Sequence, residues 1–261
     1  MTESRLLART LDDLEIEDEP SFRPVGLYAD LKEVLRRARY AFRVLPPSHE
    51  NRWDRALLLN LTYWGATGGG DVLVSSRIPA DVVTHAAWHH LAGLALAPPS
   101  GPMSVDALFV GEAIASAFDV YLVGRLLGHA PGSSFLESQV PAMGDAADAA
   151  GLPEDGFETL LAGIAEDPER AFADLCFLLL DATSALYAAT SADAGLSALA
   201  ALDGHRFGPL LHHYELSTWV LYARAYGTPG PDPRARALVE TLRAERDPLA
   251  WLEREWVRPN S

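Results

Sequence analysis

The chain has 261 residues, 49% of them hydrophobic, and a formal net charge of −15 at neutral pH. That composition belongs to an ordinary folded chain of one large domain or two small ones. The acidic balance argues against broad contact with nucleic-acid phosphates or anionic lipid. No run of eighteen or more uninterrupted apolar residues signals a membrane span, and the first twenty residues hold no apolar core of signal-peptide length. The single Cys176 excludes an internal disulfide and is consistent with a reducing compartment, so the expected location is the cytoplasm. Cys176 itself lies in the apolar run FADLCFLLLDA, where a buried, inert thiol is expected.

Along the chain, residues 1–20 are acidic and end in Pro20, and an N-terminal arm is expected over 1–25. From Gly26 to Leu45 the positions Leu27, Leu31, Val34, Leu35, Ala38 and Phe42 have helical spacing, and Pro46-Pro47 ends the pattern. Residues 55–63 (RALLLNLTY) and 71–77 (DVLVSSR) read as strands joined through GATGGG, which predicts a short β-hairpin. A helix is expected from Ala80 to Leu96, with Pro79 near its first turn, and a long one from Val105 to Leu127, closed by Gly128. Further helices are expected over 134–150, 154–165, 168–190, 193–202, 206–227 and 232–255. The fold class is α+β, predominantly α-helical, with a core over 26–130 and a helical C-terminal subdomain over 131–261. GLPEDG (151–156) is a possible junction between lobes.

The sharpest local pattern is DVVTHAAWHHLAGLAL (81–96). His85 and His89 are four apart, so on a helix their rings project from one face, one turn apart. Two neutral imidazoles so placed can reach one Zn²⁺ at about 2.0–2.1 Å. Glu112 follows in FVGEAIASAFDVYLVG (109–124), a carboxylate in an otherwise apolar helix, where a charge is costly unless paired or metal-bound. An acid favoured by the helix dipole is the alternative reading of Glu112. Ser116 and Asp119 continue a polar stripe from Glu112, as partners that support a ligand would.

VVTHAAWH resembles the active-site helix of the zincin metallopeptidases, whose signature is His-Glu-x-x-His. GEAIASAFDVY resembles the helix that carries the third ligand in the gluzincin branch, especially its thermolysin-like group. The order of helix, two strands and metal helix is also similar to a minimal gluzincin core, and the resemblance covers about residues 27–128. It implies a zincin-like core, zinc as the metal, and His85, His89 and Glu112 as its ligands. Ser116 stands where that family often has an Asp supporting the first histidine, and Asp119 is the residue able to take over that role.

One departure bears directly on function. The family places its catalytic Glu immediately after the first His, where it takes the proton of the attacking water, and this chain has Ala86 there. Loss of a positioned general base typically forfeits about 10²–10⁴-fold in rate. A natural pseudoenzyme, a base recruited from elsewhere and an introduced Glu-to-Ala substitution all fit Ala86. His90 follows His89 but points about 100° around the helix, and it is a candidate supporting group. Gluzincins draw a transition-state-stabilising His or Tyr from a downstream helix, which makes His212, His213 and Tyr214 in GHRFGPLLHHYELSTW (204–219) candidates for that role.

Other chemistries find less support. Trp53, Tyr63, Trp64, Trp88 and Trp219 read as core or cleft wall, with Trp88 expected against the hairpin. GATGGGD lacks the Lys-Ser/Thr ending of a P-loop, no Gly-x-Ser-x-Gly elbow occurs, and no repeated Glu-x-x-His suggests a di-iron bundle. Three readings follow. The first is a zinc-dependent hydrolase of peptide or amide bonds, inactive or altered by Ala86. The second is a zincin-like pseudoenzyme that binds or scaffolds. The third is a non-haem Fe(II) centre, because two His and one carboxylate also describe that site. The expected partners are a peptide, an amide-containing small molecule or a protein, with neither nucleic acid nor membrane.

Overall fold

The computed structural model describes residues 6–50, 52 and 72–261. Over these the chain is predominantly helical, with short strands near its start. β1 (Leu7–Arg9) pairs antiparallel with β3 (Phe42–Val44), and β3 pairs in parallel with β4 (Val72–Leu73). β2 (Glu15–Glu17) pairs in parallel with β5 (Arg77–Pro79), setting Ile16 opposite the fully buried Ile78. The stretch expected as an arm therefore contributes two strands and the short helix α1 (Glu19–Phe22). Phe22 is buried against Tyr28 and Phe135. Asp18, in left-handed backbone just before α1, accepts hydrogen bonds from Ser21, Ser133 and Ser134, which fastens this start to a helix far along the chain.

α2 (Gly26–Arg37) buries the expected stripe of Leu27, Leu31, Val34 and Leu35 but stops well short of Leu45. Arg39 turns through a positive φ of 49°, and Phe42 and Val44 then enter β3. Apolar residues at 42 and 44 suit a strand once β1 supplies a partner, and that partner lies more than thirty residues away in sequence. Of the expected hairpin, the run 55–63 and the loop 65–70 lie outside the described residues, as do Trp53, Tyr63 and Trp64. The tail of its second run is described, and it pairs in parallel with β3 and β2.

α3 (Ala80–Leu96), α4 (Val105–His129), α5 (Ser134–Ala149), α6 (Glu154–Glu166), α7 (Pro168–Ala188) and α8 (Ala192–Ala200) lie close to the expected spans, although Gly128 falls inside α4 instead of closing it and α8 starts from a Ser191 cap. Two later helices differ from expectation. The span 206–227 divides into a 3-10 segment, Gly208–Tyr214, and α9 (Leu216–Tyr226), separated by Glu215 in left-handed backbone. The span 232–255 divides into α10 (Pro233–Ala244), α11 (Pro248–Leu252) and a π turn, Glu253–Val257. Pro248 cannot donate into a continuing helix, and the Asp247 side chain starts a new one by accepting from the Ala250 N–H.

The core is organised around α4, which is apolar on nearly every side and packs chiefly on α7 and α3. By length and composition α4 and α7 could each cross a membrane, but nearly all of α4 and just over half of α7 are buried within this body. At Gly124 a Cβ would lie 2.5 Å from the Ile164 carbonyl oxygen and 3.0 Å from Pro168, so only glycine permits the close crossing of α4 over the α6–α7 junction. Cys176 on α7 is enclosed, and burial pushes its thiol up to about 12, which suppresses the reactive thiolate.

α3 buries Val83, Ala86, Ala87, Trp88 and Leu91 and turns His85 and His89 away from that face. Trp88 packs edge-on against Phe118 of α4, with ring centroids 5.4 Å apart. The far end of the chain secures the α3–α4 connection. Arg234 donates to the Leu96 and Ala97 carbonyls, each at 2.9 Å, and Ser104 Oγ donates to Asp232 at 2.7 Å. The Asp232 N–H in turn donates to Asp106 at 3.0 Å.

Ala86 is 1% exposed and belongs to the hydrophobic core. Ala86→Glu is expected to bury a carboxylate there and to lower the stability of the metal-free protein by about 2–4 kcal/mol. Urea unfolding measures this, and an unchanged midpoint would show that position 86 opens onto solvent.

Candidate metal centre

Three side chains from two helices converge. His85 and His89 occupy successive turns of α3, and Glu112 sits on α4, which packs against α3. His85 Nε2 and His89 Nε2 are 3.1 Å apart, and His89 Nε2 lies 3.6 Å from Glu112 Oε1. One ligand atom from each residue falls within 4.8 Å of the others. Two ligands at about 2.0–2.1 Å from a tetrahedral Zn²⁺ are separated by about 3.3 Å, so the observed spacing already suits one ion. Glu112 is 6% exposed, in keeping with a charge held in an apolar helix by a cationic neighbour.

Asp119 fixes the first histidine. Its Oδ2 lies 3.1 Å from His85 Nδ1, so the Nδ1–H donates to the carboxylate and Nε2 is the atom that faces His89 and Glu112. A carboxylate behind a ligating histidine sets its tautomer and raises its basicity. Ser116 is buried on the same stripe and lines the adjoining cleft, but among the described hydrogen bonds it is Asp119 that reaches His85.

A cleft of about 390 Å³ opens beside these residues. His85, Glu112, Ser116 and Asp119 form one wall, Gln139 and Met143 of α5 another, and His213, Tyr214, Glu215 and Trp219 a third. The third wall comes from the span where the expected single helix is broken at Glu215, and the 3-10 segment before the break packs on α5. His213 is half-buried, and burial holds its ring below the usual imidazole range despite the opposing pull of Asp119. The ring is therefore held in its neutral form. Burial and then the charge of Asp119 push the Tyr214 phenol strongly up, so it stays protonated as a donor. Among the described residues, Tyr214 OH and Asp119 Oδ1 are both buried without a hydrogen-bond partner, and each such group costs about 1–3 kcal/mol until it finds one.

The remaining candidates lie elsewhere. His212 is exposed and outside the lining of the cleft. His90 packs edge-on against Tyr40, with centroids 5.5 Å apart, and burial lowers its pKa. Ala86 faces the core and is likewise absent from the lining. Sequence reasoning gave no role to Gln139, Met143 or Thr218, and nothing in their spacing marks them, since α5 and α9 reach the cleft only through tertiary packing.

Asp81 stands in the first turn of α3, one turn before His85. Burial, with the nearby charge of Asp119, pushes its carboxyl up to about 6. The folded state thus holds a proton that the unfolded chain releases near pH 4. The stabilisation this gives is complete below that pH and is lost as pH rises through about 6. Asp81→Asn is expected to remove this decline, gaining about 1–2 kcal/mol over the parent at pH 7 but not at pH 4. Urea midpoints of the metal-free proteins at the two pH values test it, and parallel curves would refute it.

No family model, curated protein or solved structure matches this chain. The likeness to gluzincins is carried by His85, His89, Glu112 and their flanks alone.

Proposed function

We propose that His85, His89 and Glu112 hold one divalent metal ion, zinc in the first place, and that the cleft beside it takes a peptide or another amide-containing ligand in a zincin-like manner. The observation that carries this reading is the convergence of the three ligand atoms, with Asp119 holding His85 in the tautomer a metal requires. When bound, such an ion polarises a carbonyl and acidifies water. The protein's own part is to orient and to move protons. Tyr214 holds a protonated phenol behind the cleft wall, near Asp119, and Gln139 offers an amide to the ligand backbone. His213 is the neutral group on the cleft wall able to accept a proton, in place of the carboxylate that the family carries after its first histidine.

Because Ala86 faces the core, this reading makes ligand binding the primary activity and hydrolysis a slow one that depends on His213. The same donor set, two imidazoles and one carboxylate on one side of an ion, also suits a non-haem Fe(II) centre. Elemental analysis and calorimetric titration with Zn²⁺ and Fe²⁺ separate the two.

One equivalent of Zn²⁺ is expected to bind the purified metal-free chain. His85→Ala and Glu112→Ala should abolish stoichiometric uptake, and Asp119→Ala should weaken it by about 10–100-fold while leaving one site. Full uptake by His85→Ala would reject the ligand assignment. Preference for Fe²⁺ over Zn²⁺ would shift the reading to the iron centre.

A further inference from the structure

Among the described residues, the walls of the cleft carry three carboxylates, Glu112, Asp119 and Glu215, and neither Arg nor Lys, although the chain has 21 of those two residues. A divalent ion on the His-Glu triad balances Glu112 and Asp119. Glu215 is left over.

Its local structure is unusual. Glu215 has φ 47°, one of three non-glycine residues with positive φ among those described. That conformation costs an L-residue about 1–2 kcal/mol and is ordinarily given to Gly or Asn. Glu215 occupies the N-cap position of α9, where an acid usually accepts from the first turn, yet its side chain makes no capping hydrogen bond. No ion pair involves it among the described residues, although it is exposed. The carboxylate is therefore neither a cap nor part of a surface ion pair. Trp219 stands four residues on, one turn along α9, and lines the same cleft. A carboxylate one turn from an indole face forms a receptor for a cation, above all a planar guanidinium, which can stack on the ring while it donates to the acid.

We propose that Glu215, with Trp219, is the specificity-determining pair of this cleft, and that it selects ligands carrying a guanidinium or ammonium group beside the amide presented to His85, His89 and Glu112. The inference rests on the metal-cleft reading above and adds to it the chemical class of the ligand. The general acidity of the chain acts in the same direction, raising the local concentration of cationic ligands at low salt.

The test uses the zinc-loaded full chain and three probes: N-acetyl-arginine amide, its neutral counterpart N-acetyl-norleucine amide, and N-acetyl-glutamate amide. Binding is read by calorimetry or by NMR line broadening, with and without zinc. The arginine amide is expected to bind about tenfold more tightly than the norleucine amide, in line with a charge-assisted hydrogen bond. Glu215→Gln should bring the two to parity without changing the zinc equivalents bound, and Glu215→Arg should shift the preference to the glutamate amide. Equal zinc-dependent binding of the arginine and norleucine amides would overturn the charge selection and leave the metal cleft standing. A preference that persists in Glu215→Gln would overturn the assignment to Glu215. Zinc uptake without zinc-dependent binding of any amide would remove the amide reading of the cleft, and this inference with it.

Discussion

Burying the Glu112 carboxylate in α4 takes an ion out of water at a cost of several kcal/mol, and the surroundings of that group are arranged to offset it. His89 approaches from α3, His85 stands beside His89, and Asp119 holds His85 from behind. Remove the polar stripe and α3 against α4 is an ordinary apolar contact of Val, Ala, Leu and Trp88 on Phe118. With the stripe, the same contact brings together four titratable groups, three of which offer ligand atoms within 4.8 Å of one another.

That arrangement also sets the electrostatics of the cleft. Asp119 lies near the centre of the negative field: its charge helps hold Asp81 protonated, opposes the loss of a proton from Tyr214, and partly offsets the burial of His213. A divalent ion on the triad would cancel much of this field for its neighbours. Metal loading and the protonation of the cleft wall are therefore linked, because each alters the work needed for the other.

Much of this was legible in the sequence, for identifiable reasons. His85, His89 and Glu112 stand out because i, i+4 imidazoles and a carboxylate in an apolar helix are local facts that need no tertiary partner. Asp119 follows from its seven-residue step along the same face. Pro79, Pro153 and Pro168 stand at the starts of α3, α6 and α7, and proline acts through the backbone wherever it occurs. Local pattern misled where the deciding partner was remote. Phe42 and Val44 fit a helix or a strand until Leu7–Arg9 pairs with them. The segment around Glu215 reads as one continuous helix, yet it divides at a left-handed turn, and of the residues just before that turn His213 and Tyr214 line the cleft while His212 does not. Of three adjacent candidates, spacing alone could not choose.

Arg234 gives the site an order of assembly. Its guanidinium holds the last carbonyls of α3 from a position 138 residues beyond Leu96, and the cleft wall at His213–Trp219 is also supplied late in the chain. During synthesis from the N-terminus, α3 emerges long before the residues that fasten its end and complete the cleft. The triad can gather as soon as α3 and α4 meet, but the walled cleft exists only once the C-terminal helices have folded back. A metal ion captured by the nascent α3–α4 pair would thus act as a nucleus on which the rest of the molecule closes.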